Sequence, residues 1–277
     1  MRRRRSDDFK DGGGADGAAA NASPQRRVGS VQDAIAILRH LEPLEGAAAG
    51  VNRIARALDI SPSSCFNLLK TLVDEKFVDF DPATKLYSLG PGAIALGRRA
   101  LDPAGAFALI RQRLEALADR HDVTAGLWRT RRGEQLTLVG FAESAAAFRI
   151  HLTVGQRMPN AAGAAGRCVM AFSQLDDAGI RRRFDAVKWA DAPSFKAYLS
   201  EVRAARAKRW AMDHGAYISG VTTIASACLN AEHTPEYVIT ATLFAGAQGP
   251  ARLEAIAADA RIQAEWLEAR LFKADRA

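Results

Sequence analysis

The sequence predicts an α+β protein built from two parts, on three observations. At 277 residues the chain exceeds the size of one typical domain. Its first third shows short amphipathic helices followed by an alternating hairpin. Its second half mixes strand-like runs with charged helices, which is typical of antiparallel strands with helices grouped on one side. We therefore expect a small helical domain followed by a larger sensor-like α+β domain.

The first two helices are expected from apolar residues at helical spacing. Between Val28 and Leu44 these residues recur on one side, and Ser30 is placed to cap the start. A second short helix carries Ile54 and Leu58. Both helices would bury one face against the third.

The third helix has the clearest start signal. Ser61 can cap it, and Pro62 suits the first helical position because its missing N–H costs nothing there. The helix is expected to end near Asp74. The residues expected to face inward are Phe66, Leu69 and Leu72.

A hairpin follows the third helix, with short alternating runs at 77–80 and 85–89 around a turn rich in Asp and Pro. Helix, turn, helix, hairpin is the order of a winged helix-turn-helix, whose second helix enters the major groove of DNA. The polar residues on the solvent side of that helix are Ser63, Ser64, Asn67 and Lys70. Asn can pair with adenine, Ser can meet base edges or phosphate, and Lys suits phosphate.

Net charge does not support DNA binding by this domain. Residues 28–103 hold eight Lys and Arg against nine Asp and Glu, although the whole chain is +7. Individual side chains must therefore carry the interaction. The uncharged character of the helix face leaves open a winged-helix module that binds protein instead of DNA.

Residues 1–27 are small, polar and without periodicity, and we expect a disordered basic tail. Arg26 and Arg27, at its end, could reach phosphates or a narrow minor groove. A solvated tail that only aids solubility explains them equally well.

The second half begins with a helical run at 91–104 that joins the two parts, followed by an amphipathic helix up to His121. Strands are expected at 124–130, 134–141, 148–154, 210–213, 222–229 and 237–243. A Gly- and Ala-rich loop at 155–167 leads into a helix at 168–173, and further helices are expected at 176–185, 194–208 and 250–271.

Several functional classes lack support in the sequence. No apolar run approaches the ~18 residues of a membrane span, and the basic start has no apolar segment behind it, so we expect a cytoplasmic protein. The histidines and cysteines are scattered, which argues against a metal site or disulfide framework. Cys168 could be a reactive thiol at a helix start, but a small buried residue is favoured. Without a catalytic constellation or cofactor motif, an enzyme with a vestigial helix-turn-helix remains the weaker alternative.

Four segments together resemble the IclR family of bacterial transcription regulators. They are the helix-turn-helix and wing VNRIARALDISPSSCFNLLKTLVDEKFVDFDPATKLYSLG, the loop VGQRMPNAAGAAGRCVMAF, RWAMDHGAYISGV and VITATLFAG. The resemblance implies a winged helix-turn-helix over 28–90, a linker helix over 91–104 and a GAF-like effector-binding domain over 105–277. Family members dimerise, often pair their dimers, and control operons for catabolism of small organic acids and aromatic compounds.

The resemblance also implies site residues and partners. Double-stranded operator DNA would contact the cap Ser61, the helix face Ser63, Ser64, Asn67 and Lys70, and the wing residues Thr84 and Lys85. The family often has Arg where Asn67 stands. The effector would contact Met158, Asn160, Gly163, Ala164, Ala165, Asp213, Val221, Thr223, Leu243 and Ala245.

Departures from the family pattern concern polarity. Leu243 and Ala245 replace residues that are often Ser, Ala161 and Gly163 stand where His and Thr are common, and Ala216 replaces an acid. We therefore expect a less polar effector than glyoxylate or pyruvate, such as an aromatic acid. The predicted protein is a homo-oligomeric, sequence-specific regulator that needs no cofactor.

Overall fold

A computed structural model describes residues 28–42, 48–130, 135–145, 150, 152–246 and 249–272. The tail at 1–27, with Arg26 and Arg27, lies outside the described residues. The chain divides into two compact units between Ala93 and Ile94, within the helix that follows the hairpin. No helix in the described ranges is long and apolar enough to cross a membrane.

The first unit has the expected order of helices and hairpin. Its elements are α1 (Gly29–His40), α2 (Val51–Leu58), α3 (Pro62–Asp74), β1 (Val78–Asp81) and β2 (Leu86–Leu89), and α4 (Pro91–Leu101) begins at its end. The strands pair antiparallel. Its core is built on Ile37, Ile54, Cys65, Leu69 and Val78, all inaccessible to solvent.

The predicted N-cap of α3 is confirmed, and the predicted N-cap of α1 is wrong. Ser61 Oγ accepts a hydrogen bond of 3.1 Å from the backbone N–H of Ser64, and Pro62 occupies the first turn. In contrast, α1 starts at Gly29 with Val28 at the N-cap, so Ser30 lies inside the first turn. The apolar pattern of α1 located the helix but not its first residue.

The expectation for Phe66 is wrong. Its side chain is 51% exposed, whereas Cys65 and Leu69 are fully buried. Cys65 and Leu69 lie four residues apart and define the inward direction of α3. Phe66 is rotated about 100° from Cys65, which carries it to the edge of the exposed face.

The second unit is built on one antiparallel sheet of six strands. Its elements after α4 are α5 (Ala106–His121), β3 (Thr124–Thr130), β4 (Gln135–Glu143), β5 (Arg157–Pro159), α6 (Gly163–Ala171), α7 (Asp177–Asp185), α8 (Phe195–Lys208), β6 (Trp210–His214), β7 (Val221–Leu229), β8 (Pro235–Phe244) and α9 (Pro250–Phe272). The strand order is β5-β4-β3-β8-β7-β6, and every neighbouring pair is antiparallel.

Helices cover both faces of this sheet, contrary to the expected grouping on one side. Trp128 packs with residues of α6 and α8, while its neighbour Leu127 packs with α5 and α9. Successive residues of a strand point to opposite faces, so the sheet is the middle layer of three. Its long strands are buried on both faces, as their apolar runs require.

Two elements of the loop region differ from expectation. Within the expected strand at 148–154, residues 150 and 152–154 are not strand, and the remainder lies outside the described residues. The edge strand is instead β5. Helix α6 begins at Gly163, five residues before the expected start at Cys168, because small residues that suggested a loop are buried helix positions.

A close backbone approach fixes the start of α6. A Cβ on Gly166 would overlap the carbonyl group of Ala161, so only glycine lets the preceding loop cross the helix there. The Ala161 carbonyl also accepts a 2.8 Å hydrogen bond from the Tyr198 hydroxyl of α8. Loop, α6 and α8 are therefore joined at one point.

A buried carboxylate joins α5 to α9. Asp259 of α9 is 7% exposed and accepts hydrogen bonds from Arg120 at 2.7 Å and Gln263 at 2.6 Å. It also lies 3.1 Å from the His121 ring nitrogen. Burial alone would raise the pKa of Asp259, but the hydrogen bonds from Gln263, His121 and Arg120 outweigh it and lower the pKa.

We predict that Gly166→Ala lowers the free energy of unfolding by about 2–3 kcal/mol, because the added methyl forces the Ala161 backbone away. Gly97→Ala is the matched control, since nothing lies within 4 Å of its Cβ position. In α4 this change should stabilise by up to about 1 kcal/mol. Urea denaturation measures both variants, and equal effects would contradict the close approach.

We predict that Asp259→Asn costs about 2 kcal/mol of unfolding free energy at pH 7. The lowered pKa of Asp259 stabilises the fold above the unfolded pKa, and this contribution is lost as the pH falls through the folded pKa. The difference between wild type and variant should therefore shrink below about pH 4.

Denaturation at a series of pH values tests this dependence. Glu115→Gln removes an exposed ion pair with Arg111 and should cost under about 0.5 kcal/mol. A difference for Asp259→Asn that stays constant down to acid pH would contradict the assignment.

Candidate functional site

The exposed face of α3 carries the polar residues expected from the sequence. Ser63, Ser64, Asn67 and Lys70 are all exposed and lie in one strip near the N-terminal half of the helix. Ser61 is different, because its hydroxyl caps the helix and donates a 2.9 Å hydrogen bond to the Ser64 hydroxyl. Ser61 therefore positions its neighbours.

The turn of the wing is held by one carboxylate. Asp81 accepts hydrogen bonds from the Thr84 hydroxyl at 2.6 Å and from the Ala83 N–H at 2.8 Å, and chiefly the Thr84 bond lowers the pKa of Asp81. Because phosphate oxygens only accept, the engaged Thr84 hydroxyl cannot donate to DNA while this turn is intact. Lys85 remains the exposed cation of the wing, with Nζ 5.9 Å from the centre of the Phe80 ring.

The second unit contains a cavity of about 120 Å³ at the start of α6. It lies between that helix, the sheet and the segment after β6. Its lining residues are Trp128, Ile150, Leu152, Gln156, Met158, Gly163, Ala164, Ala165, Asp213, Tyr217, Ile218, Val221, Thr223, Thr240 and Thr242. The wall is mainly apolar, with a few polar groups among the strand residues.

Seven of the ten expected effector residues line this cavity: Met158, Gly163, Ala164, Ala165, Asp213, Val221 and Thr223. Asn160 instead lines a separate polar cavity of about 140 Å³, together with Gln135 and Arg183. Leu243 and Ala245 also lie outside the cavity at the start of α6.

Strand alternation explains why Leu243 does not reach this cavity. Leu243 is buried against Ile256 and Ala257 of α9, on the face away from the cavity, and Ala245 follows the strand end. The positions that face the cavity are Thr240 and Thr242. Two threonines at alternate positions of an otherwise apolar strand were the signal that the sequence analysis missed.

The strand residues also build part of the polar wall. Trp128 Nε1 donates a 3.0 Å hydrogen bond to the Thr240 hydroxyl. Gly126 makes room for this pair, because a Cβ there would lie 2.9 Å from the Thr240 hydroxyl oxygen. Thr223 and Thr242 lie opposite each other across β7 and β8. The sheet thus presents indole and hydroxyl groups to one cavity.

The charge of Asp213 is compensated inside the protein. Its carboxylate accepts hydrogen bonds from Arg167 at 2.9 Å and from the backbone N–H of Tyr217 at 3.1 Å. Arg167 is only 3% exposed and also donates to Glu201 at 2.6 Å, and its guanidinium lies 5.2 Å from the centre of the Tyr198 ring. Burial raises the pKa of the Tyr217 hydroxyl, so this group stays a neutral donor at the cavity wall.

The first turn of α6 faces the same cavity. Gly163 has φ of +60°, where a larger residue would be strained, and the Tyr217 side chain packs 3.6 Å from where a Cβ would stand. The preceding Ala162 makes no side-chain cap hydrogen bond. N–H groups at a helix start lack intrahelical partners and favour an anionic or carbonyl oxygen.

Cys168 lies in α6 behind this turn. Its thiol is 1% exposed and donates a hydrogen bond of 3.2 Å to the Ala225 carbonyl. Burial raises the pKa of Cys168 to about 12, so it is protonated at neutral pH. The favoured sequence interpretation of a buried packing residue is confirmed.

Two family models match the chain. The model described as bacterial transcriptional regulator IclR C-terminal matches residues 99–265. The model described as IclR helix-turn-helix domain matches residues 30–82. Together they contain both the α3 face and the cavity.

Individual relatives agree with the family models. The HTH-type transcriptional repressor AllR of Klebsiella pneumoniae is 29% identical over 217 residues, which cover 74% of this chain and 76% of AllR. The crystal structure of an IclR transcriptional regulator from Alicyclobacillus acidocaldarius has a TM-score of 0.67 at 27% identity, covering 88% of this chain and 99% of that one.

A third relative shares the fold. An IclR homolog from Microbacterium hydrocarbonoxydans, complexed with 4-hydroxybenzoate, has a TM-score of 0.67 at 13% identity, with 87% of this chain and 99% of that chain covered. AllR is a transcriptional repressor, the Alicyclobacillus protein is a transcriptional regulator, and the C-terminal family model describes a transcriptional regulator, which sets aside the alternative of an enzyme with a vestigial helix-turn-helix.

The two family models, in the expected order and on the observed folds, confirm the resemblance. The chain belongs to the IclR family of bacterial transcriptional regulators, with an N-terminal helix-turn-helix domain for DNA and a C-terminal effector domain of GAF-like fold.

Proposed function

We propose that this regulator binds a two-fold symmetric operator in the cytoplasm as a homodimer, and that a small organic acid with one aromatic ring controls its binding. The observation that carries the effector assignment is the cavity of about 120 Å³ in which an uncapped helix start meets a mostly apolar wall. An acid matches both parts, with its carboxylate at the N–H groups and its ring against the wall.

The size of the cavity supports a single ring. An engineered apolar cavity of about 150 Å³ binds benzene, so 120 Å³ suits a compact ligand. The relative from Microbacterium hydrocarbonoxydans was crystallised with 4-hydroxybenzoate, an acid of this class. Thr223, Thr240 and Thr242 offer hydroxyls to a polar substituent. Of the positions that depart from the family pattern, Gly163 lines this cavity, whereas Ala161, Ala216, Leu243 and Ala245 do not.

Because the negative charge of Asp213 is compensated, the cavity can accept an anionic ligand. A buried carboxylate alone would repel an acid, but Arg167, which also pairs with the half-exposed Glu201, lies 2.9 Å from Asp213 and reduces that repulsion. The positive end of the α6 dipole adds to this compensation. An acid can therefore enter a cavity that contains an aspartate.

Self-association is supported by the outer face of α1. Val28, Val31 and Ile35 are 60%, 55% and 45% exposed and recur at helical spacing, so they form an apolar stripe that the part of the chain described by the structure leaves open to solvent. Burying such a stripe between two copies removes it from water. A two-fold dimer presents two copies of α3 to a palindromic operator, and such dimers can pair further.

The effector would act by a population shift. If the acid binds one arrangement of the dimer better, it changes the population in which both copies of α3 match the operator. The two units are consecutive along α4, and this helix is the covalent route by which the bias passes.

We predict that Asn67→Ala weakens binding to the specific operator by about 5- to 150-fold, because a good base contact is worth ~1–3 kcal/mol, and that it spares nonspecific binding. Lys70→Met should weaken binding to all sequences and reduce the salt slope by about 1. The exposed Lys188 of the effector domain provides the charge-matched control, Lys188→Met.

Gel shifts over a salt series, on duplexes selected from random sequence, measure these effects. Footprinting should show two half-sites about one helical turn apart or a multiple of it. Absence of any shift, with or without aromatic acids, would count against the DNA-binding face and favour a protein-interaction module.

We predict that benzoate and 4-hydroxybenzoate bind more tightly than glyoxylate or pyruvate, as measured by calorimetric titration. Thr223→Val, which removes a cavity hydroxyl, should change the affinity for the hydroxylated acid by about fivefold, the equivalent of ~1 kcal/mol for a hydrogen bond. Thr222→Val is the matched control, because Thr222 is the next residue of β7 and lies on the opposite face.

Tighter binding of the small keto acids would contradict the aromatic assignment. Equal effects of the two threonine variants would contradict the location of the ligand. Either result leaves the family assignment intact.

A further inference from the structure

Phe66 exposes an aromatic ring on the helix face that would meet DNA. Its side chain is 51% exposed, and Ser63, Asn67 and Lys70 lie three residues before it, directly after it and four residues after it on α3. Ser63 and Lys70 are therefore neighbours of Phe66 on one side of the helix, and Asn67 is exposed next to them. The ring is therefore an apolar element in a strip that is otherwise polar.

Packing of the domain does not account for the exposed half of this ring. Cys65 and Leu69 are the fully buried residues of α3, and Leu68, Leu72 and Val73 complete its contacts with the core. A polar residue at position 66 would leave these contacts in place. Half of the ring is thus exposed to water in the free protein, and a partner surface that covered it would remove that apolar area from water.

The major groove offers one apolar feature, the C5-methyl group of thymine, and phenylalanine is among the side chains suited to contact it. We propose that Phe66 is a specificity-determining residue that packs on a thymine methyl in each operator half-site. This inference rests on the proposed placement of α3 in the major groove. It assigns to Phe66 a preference for thymine over cytosine or an unmethylated base.

The charge of the domain favours such a contact. Residues 28–103 hold eight basic against nine acidic side chains, so general attraction to phosphate is weak. Specific binding must then draw more on base contacts. A methyl–ring contact releases no counterions, so its contribution should not fall as salt rises.

Replacement of thymine by deoxyuridine tests the contact directly, because it removes only the methyl group. The probe is the selected operator duplex with single replacements in one half-site, and fluorescence anisotropy gives the affinity. When one particular thymine is replaced, the affinity of wild type for the duplex should fall about fourfold, the equivalent of ~0.8 kcal/mol for one buried CH₂ group. Phe66→Ala should show no loss there.

Two further variants keep the test independent of folding. Phe80→Ala is the control, because Phe80 is the other exposed phenylalanine of the domain's described part, at 38%, and it should retain the wild-type response to deoxyuridine. Phe66→Leu keeps an apolar contact and should retain part of it. Both responses are ratios within one variant, so a change in stability cancels.

The proposal is overturned if wild type and Phe66→Ala lose equal affinity at every thymine, or if wild type loses none. Those results would leave the DNA-binding face intact. Failure of wild type to bind any duplex would overturn that face as well, so the two failures are distinguishable.

Discussion

The effector domain depends on a contact that only glycine permits. At Gly166 the backbone of α6 lies against the carbonyl group of Ala161, and Tyr198 holds the same carbonyl from α8. The contact sets where the loop ends and where α6 begins. This contact also shapes the cavity. The first-turn N–H groups of α6 lie beside the apolar wall only when the loop crosses the helix at Gly166.

Local signals in the sequence predicted what local chemistry determines. Ser61 and Pro62 located the start of α3 because cap and first turn are specified by adjacent residues. Phe66 could not be placed the same way. Its exposure depends on the rotation of α3 about its axis. That rotation is set by the packing of Cys65 and Leu69 against other helices.

The same distinction applies to the cavity. The Gly- and Ala-rich loop was identified because its composition is unusual, and Gly163, Ala164 and Ala165 do line the cavity. On β8 the prediction had to choose between two alternating faces of the strand. It placed Leu243 at the effector site, whereas Thr242 is the residue that faces the cavity. Sheet register and the packing of α9 fix that choice, and neither follows from the strand alone. Arg167 was likewise missed as the partner of Asp213, since the two are 46 residues apart.

Burial of Cys168 has a consequence for the kind of signal this domain can receive. Oxidants attack the thiolate, and a thiol with a pKa of about 12 supplies almost none at neutral pH. Sulfenic acid formation at this residue is therefore suppressed even though its helix borders the cavity. Burial and protonation together therefore make Cys168 a poor target for oxidants.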